Sequence, residues 1–318
     1  MQTNKKLKMK ISTHEAIWGY VFLSPWLLGM IFFIGGPIVA SFILAFFKWD
    51  LITSPEFVGL DQWKHMFFFH KDAITGATAA NDPRFWKSLW NTFYYTMLAV
   101  PLYIIGSVAV ALLMNQKWKT VRILRTIYYL PSVTAGVASA IIWMWLFNPD
   151  FGLINYGLSL LGIEGPLWLA SETWSKPALV IMSVWGVGAN MIIYLAGLQG
   201  IPRQLYEAAE IDGAGMMQKF FHVTLPMLTP VIFFNLIMSL VWSFQIFTQV
   251  YVMTGGQGGP ADSTMVMVLY IYQNAFSFNR MGYGAALAWF FFVLIMAFTL
   301  LQFKIAGGWV HYEGELKK

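Results

Sequence analysis

Six stretches of this chain contain no Asp, Glu, Lys or Arg: 16–47, 88–116, 126–149, 177–202, 220–261 and 281–303. Apolar side chains dominate each of them. Each is long enough for the roughly 20 residues with which a helix crosses the hydrocarbon core of a bilayer. The pattern therefore predicts six transmembrane helices. The run 220–261 has room for about two spans, but Pro226, Pro230 and the Gly255–Pro260 cluster trim it to one predicted helix near 229–252. The first run holds Pro25 and Gly35-Gly36-Pro37, which predict a kink or a short re-entrant end. It is too long for the apolar core of a cleaved signal peptide, and no small-x-small site follows, so it reads as an uncleaved first helix.

Composition sharpens this picture. Hydrophobic residues make up 58% of the 318 and charged residues 11%, with a mean hydropathy of +0.60. A soluble domain averages roughly a quarter charged residues, so the bulk of this chain must face lipid. The net charge of +5 does not indicate nucleic acid, because the basic residues stand at the ends of apolar runs. That placement is an orientation signal. Lys5, Lys6, Lys8 and Lys10 precede the first run, and Lys117, Lys119, Arg122 and Arg125 separate the second from the third without an acid between them. Both segments are predicted cytoplasmic, which puts both termini inside. The expected organisation is a cytoplasmic segment 1–16, a six-helix membrane domain 17–304 and a cytoplasmic tail 305–318, all α-helical. Outer loops fall at 48–87, 148–176 and 253–280, and an inner loop at 200–225.

The missing chemistry narrows the function. There is no cysteine, and His14, His65, His70, His222 and His311 form no metal-ligating pair, so no metal site is expected. No span carries a mid-membrane Asp, Glu, His, Lys or Arg, which disfavours a proton-coupled carrier. No GxxxxGK[ST] phosphate loop occurs, so the chain has no ATPase site of its own. The GGQ in Met253–Pro260 lies on the predicted outside and reads as a turn. No catalytic dyad is visible in the spans. The protein either moves a solute passively or is driven by another subunit.

One inner segment breaks the apolar monotony. In "EAAEIDGAGMMQKFFHVTLP", Glu207 to Pro226, three acids occur within six residues. Arg203 to Ile211 is predicted as a short helix after Ile201-Pro202. Leu205, Ala208, Ala209 and Asp212 share one side of it, and Glu207 and Glu210 share another. Gly213 and Gly215 permit a tight turn, and Gln218 to His222 is predicted as a second short segment ended by Pro226. A helix lying on anionic lipid should be basic. An acidic knuckle fits a protein partner better. The plainer alternative is that Glu207 only pairs with Arg203, one turn earlier.

These residues carry a resemblance. Glu207-Ala208-Ala209, three residues, Gly213, nine residues, then Val223-Thr224-Leu225-Pro226 is similar to the EAA loop of ABC importer permeases, EAA-x3-G-x9-I-x-LP, with Val for Ile. "FVGLDQW" (Phe57–Trp63), "DPRFWKSLWNT" (Asp82–Thr92), "LPSVTAGVASAIIWMWLFNPDFGLIN" (Leu130–Asn155), "LAGLQGIPRQLYEAAEIDGAG" (Leu195–Gly215), "YVMTGGQGGPADST" (Tyr251–Thr264) and "WVHYEGE" (Trp309–Glu315) resemble the carbohydrate-importing branch, relatives of the maltose and glycerol-phosphate permeases. Nearly the whole chain is covered. The resemblance implies a type I importer fold and a second, unlike permease subunit in the pore. It also implies two cytoplasmic ATPase subunits, which bind the ATP and Mg, and an extracellular solute-binding protein. It implies that Glu207, Ala208, Ala209, Asp212 and Gly213 dock on an ATPase.

Sugars are held by aromatic faces and by amides and hydroxyls, so polar uncharged groups within the spans mark a candidate path. Trp185, Gly188 and Asn190 supply them on the fourth span. On the fifth, Ser239, Trp242, Ser243 and Ile246 form one stripe at i, i+3, i+4 and i+7, with Gln245 beside it. In the maltose-type relatives this stripe and the stretch around Asn190 line the sugar site. The alternative is that the Ser and Gln side chains fasten helices together. Trp143 and Trp145 on the third span read as interfacial belt residues.

Overall fold

Each uncharged run becomes helix in the computed structural model, which describes residues 11–71 and 78–310. The N-terminal lysines and the ending from His311 onward lie outside the described residues. Five helices are long and apolar enough to cross a membrane: Thr13–Leu44, Pro83–Met114, Ser175–Gly200, Met216–Met253 and Met281–Ala306. They are spans one, two, four, five and six. The bent pair Val121–Val133 and Gly136–Leu146 completes the predicted six as span three. Apart from two short antiparallel pairings in the outer loop (Phe47–Lys48 with Glu56–Phe57, Phe69–Lys71 with Thr78–Ala80), the described residues are helical or looped.

Three expectations need correction. Span three is not one rod: its halves meet at 104°. Pro131 cannot donate to the ladder and disfavours helical geometry before it, and the chain stays extended at Thr134 before Gly136 restarts the helix. Span five does not begin near 229. Met216–Lys219 runs through a π turn at Phe220–Thr224 straight into Leu225–Phe244, and Pro226 sits in the first turn of that helix instead of ending it. The π turn's longer reach, with the Leu225 N–H on the Phe220 carbonyl, makes room for a ring that would collide with a normal ladder. Of the two alternatives for span one, the re-entrant end is ruled out: Thr13–Leu44 is continuous, and its irregularity is a π turn at Met30–Gly35 preceding Pro37.

Two packed regions hold the spans. One gathers Phe85, Ala99, Leu179, Phe244 and Phe291 towards the end that the charge rule assigns to the outside, the outer end. The other gathers Val108, Met114, Tyr194, Leu198 and Leu228 towards the inner end. Span one joins this packing mainly through its final turns, where Phe42 packs edge-on against Trp289 at 4.9 Å. Trp143 is not a belt residue. It is buried against Phe147 and Trp185, whereas Trp145 is half exposed.

The outer end is fastened by polar groups. Asp82 caps span two, accepting the Phe85 N–H at 2.9 Å on one oxygen and the hydroxyls of Tyr270 and Tyr283 on the other. Burial, and then the adjacent carboxylate, push the Tyr270 phenol up, so it remains a donor at neutral pH. Asp82→Leu removes the cap and strands two buried hydroxyls. It is expected to cost about 3 kcal/mol. Thermal unfolding of the detergent-purified chain measures this, and a melting point equal to wild type would show that the cluster holds nothing.

Arg84 grips Asp262 through two bonds of 2.8 and 2.7 Å, and the guanidinium holds that carboxyl below its ordinary range. Asn91 bonds the carbonyls of Asp262 and Met265, and Lys87 that of Ala261. These contacts hold Ala261 and Asp262 in the left-handed region, at φ of 47° and 57°, which non-glycine residues rarely occupy. The preceding Gly255–Pro260 segment is a turn, as its sequence suggests, with Gly255, Gly256, Gly258 and Gly259 all at positive φ.

Candidate functional site

Span four is interrupted by a single tight turn at Trp185–Val187, and span five unwinds at residues 245–247 between Phe244 and Thr248. Together with the bend in span three, three of the six spans are irregular in mid-membrane. Irregular backbone is tolerated at that depth only where it is buried in protein or lines a cavity. Both conditions are met. The Tyr103 hydroxyl donates to the Gly186 carbonyl at 3.0 Å and the Ser107 hydroxyl to that of Val187 at 3.1 Å, satisfying the turn from span two.

All three irregular segments open onto one cavity of about 920 Å³. Its size falls within the range of small-molecule sites, about 300–1,000 Å³. Of the predicted path residues, Trp185, Asn190, Ser239, Trp242, Ser243, Gln245 and Ile246 line it. The span-five stripe thus faces one space, and Trp242 presents the broadest free surface, 69% exposed. Ser243 also reaches Thr96 at 3.3 Å, so it fastens helices as well. Gly188 does not line the cavity. It is buried where span three crosses span four, and a Cβ built on it would lie 1.8 Å from the Tyr128 carbonyl oxygen.

Sequence reasoning missed part of the wall. Tyr95 and Tyr103 of span two, Ser132 and Thr134 at the bend of span three, and Ser183 of span four all face the cavity. The i, i+4, i+8 column of Tyr95, Ala99 and Tyr103 is a signal that could have found the first two. Nothing in the linear pattern marks the bend residues as neighbours of Trp242. Among the described residues no charged side chain lines the cavity, so its chemistry is aromatic faces, hydroxyls and amides.

At the inner end, the knuckle helix Arg203–Ile211 forms as predicted. Gly213 turns the chain at φ 79°, and the Ala214 N–H reaches back to the Ala209 carbonyl at 2.8 Å. Lys219 pairs with Glu210 at 2.8 Å, and the Tyr206 hydroxyl bonds that of Thr224 at 3.0 Å, pinning the knuckle to the start of span five. Glu207 is left free: among the described residues it forms no ion pair with Arg203 or any other cation. Glu207, Ala208, Asp212 and Gly213 are exposed and Ala209 is half-buried. Beside them the tip shows Ile211, 87% exposed, and Met216, 84% exposed. An unpaired carboxylate next to bare apolar side chains, on a rigid base, is a surface shaped for protein contact.

Comparison with known proteins agrees with this architecture. Residues 73–308 match the family described as "Binding-protein-dependent transport system inner membrane component". The chain is 42% identical to the "Probable ABC transporter permease protein YesP" of Bacillus subtilis (strain 168), over 93% of each chain. It is 35% identical to the sulfoquinovosyl glycerol transport system permease protein SmoG of Agrobacterium fabrum (strain C58 / ATCC 33970), over 85% of this chain and 83% of that one. Its fold matches a chain in the crystal structure of a bacterial ABC transporter involved in the import of the acidic polysaccharide alginate, with a TM-score of 0.78 at 22% identity over 93% and 97% of the two chains. This multi-pass membrane chain belongs to the family of binding-protein-dependent transport system inner membrane components.

Proposed function

We propose that this chain is the pore-forming permease subunit of an ATP-driven importer that moves a sugar or oligosaccharide inward by alternating access. The observation that carries the reading is the meeting of three broken spans around one uncharged, aromatic and hydroxyl-lined cavity. Broken helices around a central cavity are how membrane transporters present backbone and polar side chains to a solute. Relatives named for transport of sulfoquinovosyl glycerol, lactose and trehalose/maltose support the cargo, and the family description supports a solute-binding protein as the donor.

The cycle follows from the two ends of the molecule. ATP and Mg bind to two partner ATPase subunits. Their closure draws the knuckles of this chain and of a second, unlike permease together. The knuckle passes force directly into span five, because Met216–Met253 is continuous from its base to the cavity-lining stripe apart from the unwound residues 245–247. The cavity then opens outward, takes sugar from the binding protein and is reset by hydrolysis. Glu207, Ala208, Ala209, Asp212 and Gly213 form the ATPase contact. Trp185, Asn190, Ser239, Trp242, Ser243, Gln245 and Ile246 meet the sugar, while Gly188 sets the crossing that shapes the wall.

The test is uptake of labelled sugar by vesicles holding the assembled importer and its binding protein. ATP-dependent accumulation is the expected result. Uptake by this chain alone, without ATP, would favour a self-sufficient passive or ion-coupled carrier instead. Trp242→Ala removes the broadest surface in the cavity. It is expected to raise the apparent KM about tenfold, a loss of aromatic contact worth about 1 kcal/mol or more, while basal ATPase activity is retained. An unchanged KM would move the sugar away from this stripe.

A further inference from the structure

The cavity-lining columns of spans two and four continue outward, through buried Asn91, to a pair of cations at the outer end. On span two, the spacing that places Tyr103, Ala99 and Tyr95 on the wall leads one turn further to Asn91 and two turns further to Lys87. On span four, Ser183 and Leu179 lead to Lys176. The two columns meet. Lys176 Nζ donates to Asn91 Oδ1 at 3.2 Å and lies 5.1 Å from the centre of the Tyr94 ring. Lys87, close enough to repel it, donates to the Ala261 carbonyl.

Among the described residues, the nearby acids do not fully offset these two ammonium groups. Asp262 feels the charge of Lys87 but already gives both oxygens to Arg84, so one carboxylate faces two cations there. Asp82 is buried and accepts two phenols and a backbone N–H. Glu172, one turn before Lys176 in the chain, is exposed and unpaired with it. Among the described residues, neither Lys87 nor Lys176 belongs to an ion pair. Lys176 is half-buried against an amide and an aromatic ring. Holding an ammonium partly out of water beside a second cation is unfavourable unless an anion arrives. A neutral sugar offers none. The cavity below is uncharged, so the outer end is where an anion would be read, and the rings and hydroxyls below would read the remainder of the molecule.

Resting on the importer reading above, we propose that the saccharide carried by this chain is anionic, with a carboxylate as in a uronic acid, and that Lys176 and Lys87 receive that group at the outer entrance. The two lysines draw the anion in by charge and hand it to a cavity that holds it without charge, so it is not trapped.

The experiment uses the assembled importer with its binding protein in vesicles and a panel of uronate di- and trisaccharides, each beside its neutral counterpart. ATP-driven uptake of uronates is expected, with neutral counterparts taken up at least about tenfold less efficiently. Lys176→Met is expected to raise the uronate KM about tenfold and to flatten its dependence on salt. Lys176→Arg, which keeps the charge and a donor for Asn91, should restore both. If neutral sugars enter as well as uronates, or if Lys176→Met impairs both alike, the charge-reading entrance is wrong and Lys176 only fastens two helices. If ATP drives uptake of neither kind, the importer reading itself fails and this inference falls with it.

Discussion

Glu207→Lys is expected to abolish ATP-driven uptake while leaving the chain folded and inserted. Among the described residues Glu207 is exposed and in no ion pair, so reversing its charge breaks no ion pair among them. On the proposed reading its partner is an ATPase subunit. A carboxylate held by an Arg or a backbone N–H across an interface is a charge-assisted bond. Placing a cation there should weaken ATPase association by about 2 kcal/mol or more, roughly thirtyfold in Kd. Co-purification of the ATPase subunits and sugar-stimulated ATPase activity are the readouts, with the melting temperature of the isolated subunit as the folding control. Glu210→Gln provides the contrast. Glu210 sits three residues away but is engaged with Lys219, so its loss should change local rigidity and leave docking largely intact. Replacing Ile211 by Asp tests the apolar half of the same surface and should also impair docking. If Glu207→Lys retains full coupling while the Ile211 variant does not, the contact is apolar and the carboxylate is incidental. If all three behave as wild type, the knuckle is not the ATPase contact.

The spans are legible in the sequence because lipid leaves little choice: a run such as 88–116 without charge must bury its backbone polar groups in helix, and Pro83–Met114 results. The knuckle is legible for the converse reason, since acids and glycines stand out against so apolar a chain. The breaks are harder to read. Pro131 announces the bend in span three, but Pro226 and Pro230 look equally disruptive and are absorbed, one behind a π turn and one within the helix. The turn at Trp185–Val187 contains no proline and is held by hydroxyls of Tyr103 and Ser107, about 80 residues away in the chain. That is tertiary information, which no local pattern encodes. The path residues on span five could be grouped because helical spacing puts them on one stripe. Those on spans two and three could not be joined to them without knowing which helices meet.

Gly188→Ala is expected to be among the most damaging small substitutions in the molecule. Gly188 follows the turn in span four and is buried against the backbone of span three: an added Cβ would lie 1.8 Å from the Tyr128 oxygen and 2.5 Å from its carbonyl carbon. The obstacle is main chain, not a side chain that can rotate away, so the two helices must part. Small residues at such crossings are what permits close backbone approach within a membrane. Overpacking of this kind costs about 3 kcal/mol or more. The consequence extends to the cavity, because Tyr128 precedes the bend whose Pro131, Ser132 and Thr134 form part of the wall. A methyl group that touches no sugar should therefore both lower the melting temperature in detergent and depress uptake. Gly19→Ala is the control. Nothing lies within 4 Å of a Cβ built there, and alanine in a helix interior is more favourable than glycine by about 0.5–1 kcal/mol, so stability should hold or rise. A Gly188→Ala chain that melts with wild type would mean that spans three and four do not cross this closely. If it melts lower yet transports normally, the crossing supports the fold without shaping the sugar's path.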